Sequence, residues 1–167
     1  MFRQSTRTQF IEACQEGDDA EVRQLLSKGV DANTKDSMKW TVLMRASCNG
    51  HLAVVQSLLA SGSNIDMQDD YLGYTAILVA SQEGRVDIVR ELLEKNANPN
   101  IRDNAGWTAL MKASQKGHAN CVELLLEKGA DITIKEEKGK TARDIAKDKR
   151  YGAIVNMFDK VRTHMIQ

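Results

Sequence analysis

Cys48 and His51 are separated by two residues, as are His118 and Cys121, so each pair has the spacing of half a zinc site. The chain repeats every 33 residues, which places the two pairs two units apart, about 16 to 20 Å when packed helices are spaced by about 8 to 10 Å. One ion cannot join them, and no metal is expected. Gly139-Lys140-Thr141 has the ending of a phosphate-binding loop. That motif needs another glycine five residues earlier, where Ile134 stands, and the match fails. His164, the third histidine, has no nucleophile and acid around it to complete a triad. No catalytic residue and no cofactor is expected. The residue types that remain informative are aromatic. They make up only 5% of the chain, yet both tryptophans and one of three tyrosines, Trp40, Tyr74 and Trp107, recur at steps of 34 and 33. Their chemistry is that of contact: large apolar rings at a protein surface dominate binding energies, with truncation of such an anchor costing about 2 kcal/mol or more.

The repeat supplies the elements that hold these rings. Threonine recurs at Thr8, Thr41, Thr75, Thr108 and Thr141, and each of the three aromatics directly precedes one of them. Glycine follows the first four threonines after nine residues, at Gly17, Gly50, Gly84 and Gly117. Alanine sits five residues past every threonine, and leucine pairs recur at Leu25-Leu26, Leu58-Leu59, Leu92-Leu93 and Leu125-Leu126. Each threonine reads as a helix N-cap and each glycine as the stop of a helix of about two turns. A second helix follows, with the i, i+3, i+4 apolar face of Val54, Val55, Leu58 and Leu59. It ends at Gly29, Gly62, Asn96 or Gly129, all residues that tolerate left-handed backbone. The stretch after it is polar and turn-forming. Helices this short are marginal alone, so neighbouring units must stack.

Composition narrows the setting. Among 167 residues, 23 Lys and Arg balance 23 Asp and Glu, which removes the general attraction to nucleic acid or anionic membrane. No apolar run approaches membrane-spanning length, and the first ten residues lack the apolar core of a secretory signal. Cys14, Cys48 and Cys121 are odd in number and scattered, which suits free thiols in a reducing compartment. A soluble cytoplasmic monomer is expected, with passage into the nucleus left open.

The 33-residue period, the threonine opening and the glycine steps resemble the ankyrin repeat family, whose unit runs turn, helix, helix with a Thr-Pro-Leu-His-x-Ala signature. The resemblance covers nearly the whole chain. It implies an all-α fold with short hairpin loops, a solenoid of about five stacked helix-turn-helix units in one domain over 1–167. The units fall at about 4–35 (an N-terminal cap), 36–69, 70–102, 103–135 and 136–167 (a C-terminal cap). Val42, Ala76, Ala109 and Ala142 replace the signature proline, while Met44, Leu78, Met111 and Asp144 replace its histidine. The last unit has Arg150 and Tyr151 in place of the Gly-His step, and one extra residue near Asp69-Asp70 lengthens the third hairpin.

By the same resemblance, the hairpins and the outer side of each first helix form a concave surface that binds a protein or peptide. Trp40, Tyr74 and Trp107 line up along it at an expected spacing of about 8 to 10 Å, too wide for mutual stacking. Met38, Tyr71 and Leu72 lie in the hairpin turns beside them, and the first helices present Arg45, Cys48 and Lys112. The first unit is acidic and the fourth basic, a gradient able to orient a ligand of asymmetric charge. The function this implies is a non-catalytic protein interaction module. Alternatives are a steric inhibitor of an enzyme such as a protein kinase, and a methyl-lysine reader built from Trp40, Tyr74 and Glu83. Asn33 and Asn100 occupy hairpin positions where asparagines of the family are hydroxylated by an oxygenase.

Overall fold

The structure, a computed structural model, describes residues 5–165, without the side chains of His164 and Met165, so the reading of His164 lies outside it. Among the described residues ten helices form five pairs: α1 (Thr6–Glu16) with α2 (Asp19–Ser27), α3 (Val42–Asn49) with α4 (Leu52–Ala60), α5 (Ala76–Gln82) with α6 (Val86–Glu94), α7 (Ala109–Lys116) with α8 (Ala119–Glu127), and α9 (Ala142–Asp148) with α10 (Gly152–Met165). First helices stack on first helices and second on second, which makes the chain an all-helical solenoid. The one bridge of strand type among the described residues joins Lys35 to Thr41. No described helix is long and apolar enough to cross a membrane.

The caps follow the repeat with one exception. The hydroxyls of Thr41, Thr75, Thr108 and Thr141 accept the amides of Met44, Leu78, Met111 and Asp144. The Asp144 carboxylate in turn accepts the Thr141 amide and closes a capping box, and that bonding holds its carboxyl below the usual carboxylate range. Thr8 does not cap α1. The helix starts three residues earlier on Ser5, whose side chain accepts the Thr8 amide, because Ser5 is itself a good N-cap and the register permits it.

The glycine-histidine step works between units. The ring of His51 lies 2.9 Å from the carbonyl oxygen of Gln15, and that of His118 2.9 Å from the carbonyl of Gln82, each time reaching back to the preceding first helix. In the third unit Arg85 donates to the Cys48 carbonyl instead. The ring lies so close that a Cβ on Gly17 would fall 2.5 Å from His51 and one on Gly84 2.7 Å from His118, and both glycines also have positive φ. Two observations therefore require glycine there.

The fifth unit keeps the backbone without the residue: Arg150 has φ 63°. Left-handed backbone costs a side-chain-bearing residue about 1 to 2 kcal/mol. Glycine's looser unfolded state returns part of that, so Arg150→Gly is expected to stabilise the chain by about 0.5 to 1 kcal/mol, read as a higher urea midpoint.

Core positions are the expected ones. Ala46, Ala80, Ala113 and Ala146 are fully buried between stacked first helices, and Val54, Val55, Leu58, Ile88, Val89, Leu92, Val122 and Leu125 fill the space between helix layers. Cys14 and Cys121 belong to this core, where burial pushes their thiols up to about 12 and about 11.

Candidate functional site

The hairpins are built around one carboxylate each. Asp36 accepts the amides of Met38 and Trp40, Asp69 those of Tyr71, Leu72 and Tyr74, Asp103 those of Ala105 and Trp107, and Glu136 that of Lys140. These acids stand five residues before their threonines, six in the lengthened third unit. That recurrence is visible in the sequence and is the signal from which the hairpin's internal support, not read above, could have been found. With the acid fixed, the residue before each threonine is fixed too, and the aromatic rings inherit their positions from it.

The second oxygen of two of these carboxylates holds a cation from the next helix. Arg45 Nε donates to Asp36 at 2.5 Å, and Lys112 Nζ lies 2.9 Å from Asp103. The guanidinium of Arg45 stacks 4.6 Å from the Trp40 centroid. The ammonium of Lys112 sits 4.6 Å from the Tyr74 centroid and 5.1 Å from that of Trp107, and donates to the Tyr74 hydroxyl at 3.1 Å. Trp40 and Tyr74 themselves meet, with centroids 6.3 Å apart and planes tilted by 57°. The expected spacing of about 8 to 10 Å is thus wrong for this pair: the rings are long enough to lean across the gap between units. Arg45, Trp40, Tyr74, Lys112 and Trp107 form one continuous row of three rings and two cations.

This row is half-buried rather than displayed. Trp40, Tyr74 and Trp107 pack against the core, and Lys112 is buried. Its charge is spent internally, so it positions the two rings around it. Two features of the row disfavour a cage for methylated lysine. Arg45 already lies over the Trp40 ring and Lys112 over the Tyr74 ring, and Glu83, the C-cap of α5, is about 10 Å along the helix from its first residue Ala76 by the rise per residue. Cys48 is half-buried, and burial together with nearby Glu83 raises its thiol despite Arg45 and Arg85.

What the molecule does display is apolar and lies at the hairpin tips. Tyr71, Met38 and Leu72 are 64%, 60% and 50% exposed, well above every other large hydrophobic side chain among the described residues. The extra residue of the third hairpin lies between Asp69 and Tyr74, within the tip that carries Tyr71 and Leu72. The tip is nonetheless held: the amide and side chain of Asn104 donate to the carbonyls of Leu72 and Tyr71, at 2.9 and 2.8 Å. On its other side Asp70 pairs with Lys35 across the hairpins at 2.6 Å, and that bond holds its carboxyl low. Met38 approaches Arg45, with its sulfur 3.2 Å from a guanidinium nitrogen.

Beyond Trp107 the row opens into a cleft of about 380 Å³, lined also by Gln115, Lys138, Lys140, Ile145 and Lys149. Lys140 is paired there with Asp148. Asn33 and Asn100 lie at the other ends of the hairpins, where their side-chain oxygens accept the amides of Asn64 and Asp131 from the next unit. An oxygenase would have to break those bonds to reach them.

Comparison with known proteins agrees with this architecture. The family model of ankyrin repeats in three copies matches residues 3–69 and 43–136. A human mitochondrial disaggregase is 42% identical over 62 residues, 37% of this chain and 9% of that protein. The palmitoyltransferase Hip14 of Drosophila melanogaster is 32% identical over 97 residues, 58% of this chain and 15% of the relative. A putative ankyrin repeat-containing protein of Treponema pallidum is also 32% identical over 97 residues, 58% of this chain and 33% of its own length. The chain thus spans a third or less of the length of these relatives. Stacked helix pairs, glycine-histidine steps between them and a family match over most of the length lead to one conclusion: the chain belongs to the ankyrin repeat family.

Proposed function

We propose that the chain does what ankyrin repeats generally do and holds another protein, without catalysis of its own, through the surface of its second to fourth hairpins and first helices. The observation that carries this reading is the apolar group at the tips: Met38, Tyr71 and Leu72 stand exposed on adjacent hairpins that are tightly hydrogen-bonded. Exposed apolar side chains gathered on a rigid support mark interaction sites. A rigid support also lowers the ordering cost of binding. The bound element is a peptide or surface segment of a protein, seated across the tips. Trp40 and Tyr74 form its floor, with Arg45, Cys48, Trp107 and Lys112 continuing that floor along the groove.

The test separates floor from tips. Met38→Ala, Tyr71→Ala and Leu72→Ala together are expected to leave the helical circular dichroism and the urea midpoint unchanged. Binding to peptides selected from a displayed random library should weaken by about 100-fold, a loss typical of anchors worth about 2 kcal/mol or more. Full binding by the triple variant would end the reading. Trp40→Ala, by contrast, should lower stability as well, since its ring also packs on the core.

A further inference from the structure

Charge is distributed along the solenoid in a way that the zero net charge conceals. Residues 1–107 hold 11 Lys and Arg against 15 Asp and Glu, a net −4, whereas residues 108–167 hold 12 against 8, a net +4. The boundary falls at Trp107, where the row of rings ends; part of the acidic excess, Asp19, Glu21, Asp87, Glu91 and Glu94, lies on the second helices and the rest on the hairpins and first helices. On the basic side the cleft beyond Trp107 is lined by Lys138, Lys140 and Lys149. Lys140 is neutralised by Asp148, but Lys138 and Lys149 are exposed and make no ion pair among the described residues. The acids around them are partly spent: Glu136 is buried and its carboxyl is held low chiefly by the Lys138 backbone amide, while Glu137 is exposed. On the acidic side Glu16 and Glu83 are exposed at the ends of their first helices. Between the two ends, Arg45 and Lys112 have their charge met by Asp36 and Asp103 and Lys35 pairs with Asp70, while Lys39 stands exposed beside Met38.

We infer that the occupant of this groove is a bipolar peptide segment: an aromatic or aliphatic centre on the tips, basic residues over units one to three, and acidic residues over units four and five. The inference rests on the interaction reading above and adds to it the partner's charge order and its direction. Each exposed pair contributes little, but opposite fields at the two ends reject a segment laid the wrong way round, so charge order sets orientation more than strength. A uniformly acidic or uniformly basic segment gains at one end and loses at the other.

The experiment selects dodecapeptides from a random displayed library on the whole chain at low salt, then titrates synthetic copies of the selected peptides. Selected sequences are expected to carry Lys or Arg on one flank and Asp or Glu on the other. A nitroxide on the acidic flank should broaden amide resonances of residues 108–149 and spare α1 and α3. Lys138→Glu with Lys149→Glu should weaken these peptides about tenfold at low ionic strength, and the difference should close in 1 M salt, where screening falls to about 3 Å. Peptides that lack the charge order, or bind with salt-independent affinity, while still losing affinity to Tyr71→Ala and Leu72→Ala, overturn the inference and leave the interaction reading intact. Peptides indifferent to the tip substitutions, or a library without binders, overturn both.

Discussion

Lys112→Ala is expected to lower the unfolding free energy by about 3 to 5 kcal/mol, the usual cost of removing one member of a buried ion pair. The reason is that one ammonium serves three partners. It lies 2.9 Å from a carboxylate oxygen of Asp103 and 3.1 Å from the Tyr74 hydroxyl, and between the Tyr74 and Trp107 rings. The side chains of Lys112 and Asp103 are 9% and 3% exposed, so water cannot replace the lost charge without opening the hairpin. Asp103 would keep its bonds to the Ala105 and Trp107 amides and would be left with an uncompensated charge. Lys112→Met keeps the methylene packing and should recover only a minor part. Pairing it with Asp103→Asn should recover most, because both charges then leave together. Urea unfolding measures the cost, and near-ultraviolet circular dichroism should report loosened Tyr74 and Trp107 rings. A cost below about 1 kcal/mol would mean that the pair behaves as a solvent-exposed one.

Leu92→Ala should cost about 2 to 5 kcal/mol, the range for a fully buried leucine whose cavity does not collapse. Leu92 is 0% exposed on α6, in the middle pair of five. Stability in a solenoid is a sum of unit and neighbour terms, so a lesion in the central unit weakens the coupling on both sides. Hydrogen exchange should show lost protection in α5 and α6 first, followed by their neighbours, with a broadened urea transition. Leu25→Ala, in the first pair, removes a side chain of the same kind at 2% exposure. It has one neighbouring pair to uncouple, so fraying there should stop at α1 and α2. Equal spread of lost protection from both positions would contradict nearest-neighbour stacking.

The candidate site was legible in unequal parts. The alignment of Trp40, Tyr74 and Trp107 follows from the period, because a repeat with fixed backbone puts equivalent residues on one side. The prominence of Met38, Tyr71 and Leu72 follows from their place in polar turns, where apolar side chains have nothing to pack on. The contact between Trp40 and Tyr74 did not follow, since spacing between backbones says nothing about how far a ring leans. Nor did the fate of Arg45 and Lys112. As letters in a groove they read as cations offered to a ligand, and in three dimensions each is spent on the hairpin carboxylate five residues before its own threonine. Thr8 misled for a related reason: a good capping residue three positions earlier competes for the same helix, and sequence equivalence does not decide between them.

By itself the sequence determined the repeat, the helix pairs, the core and the side of the molecule on which each unit's tip falls. These depend on local backbone preference and on burial pattern, both of which are periodic and so are written in the order of residues. Tertiary structure alone decided which charges are free and which rings are open. Those depend on distances between side chains, nine residues apart within a unit for Arg45 with Asp36 and Lys112 with Asp103, and about 33 apart between units for Trp40 with Tyr74, and local backbone preference does not encode either.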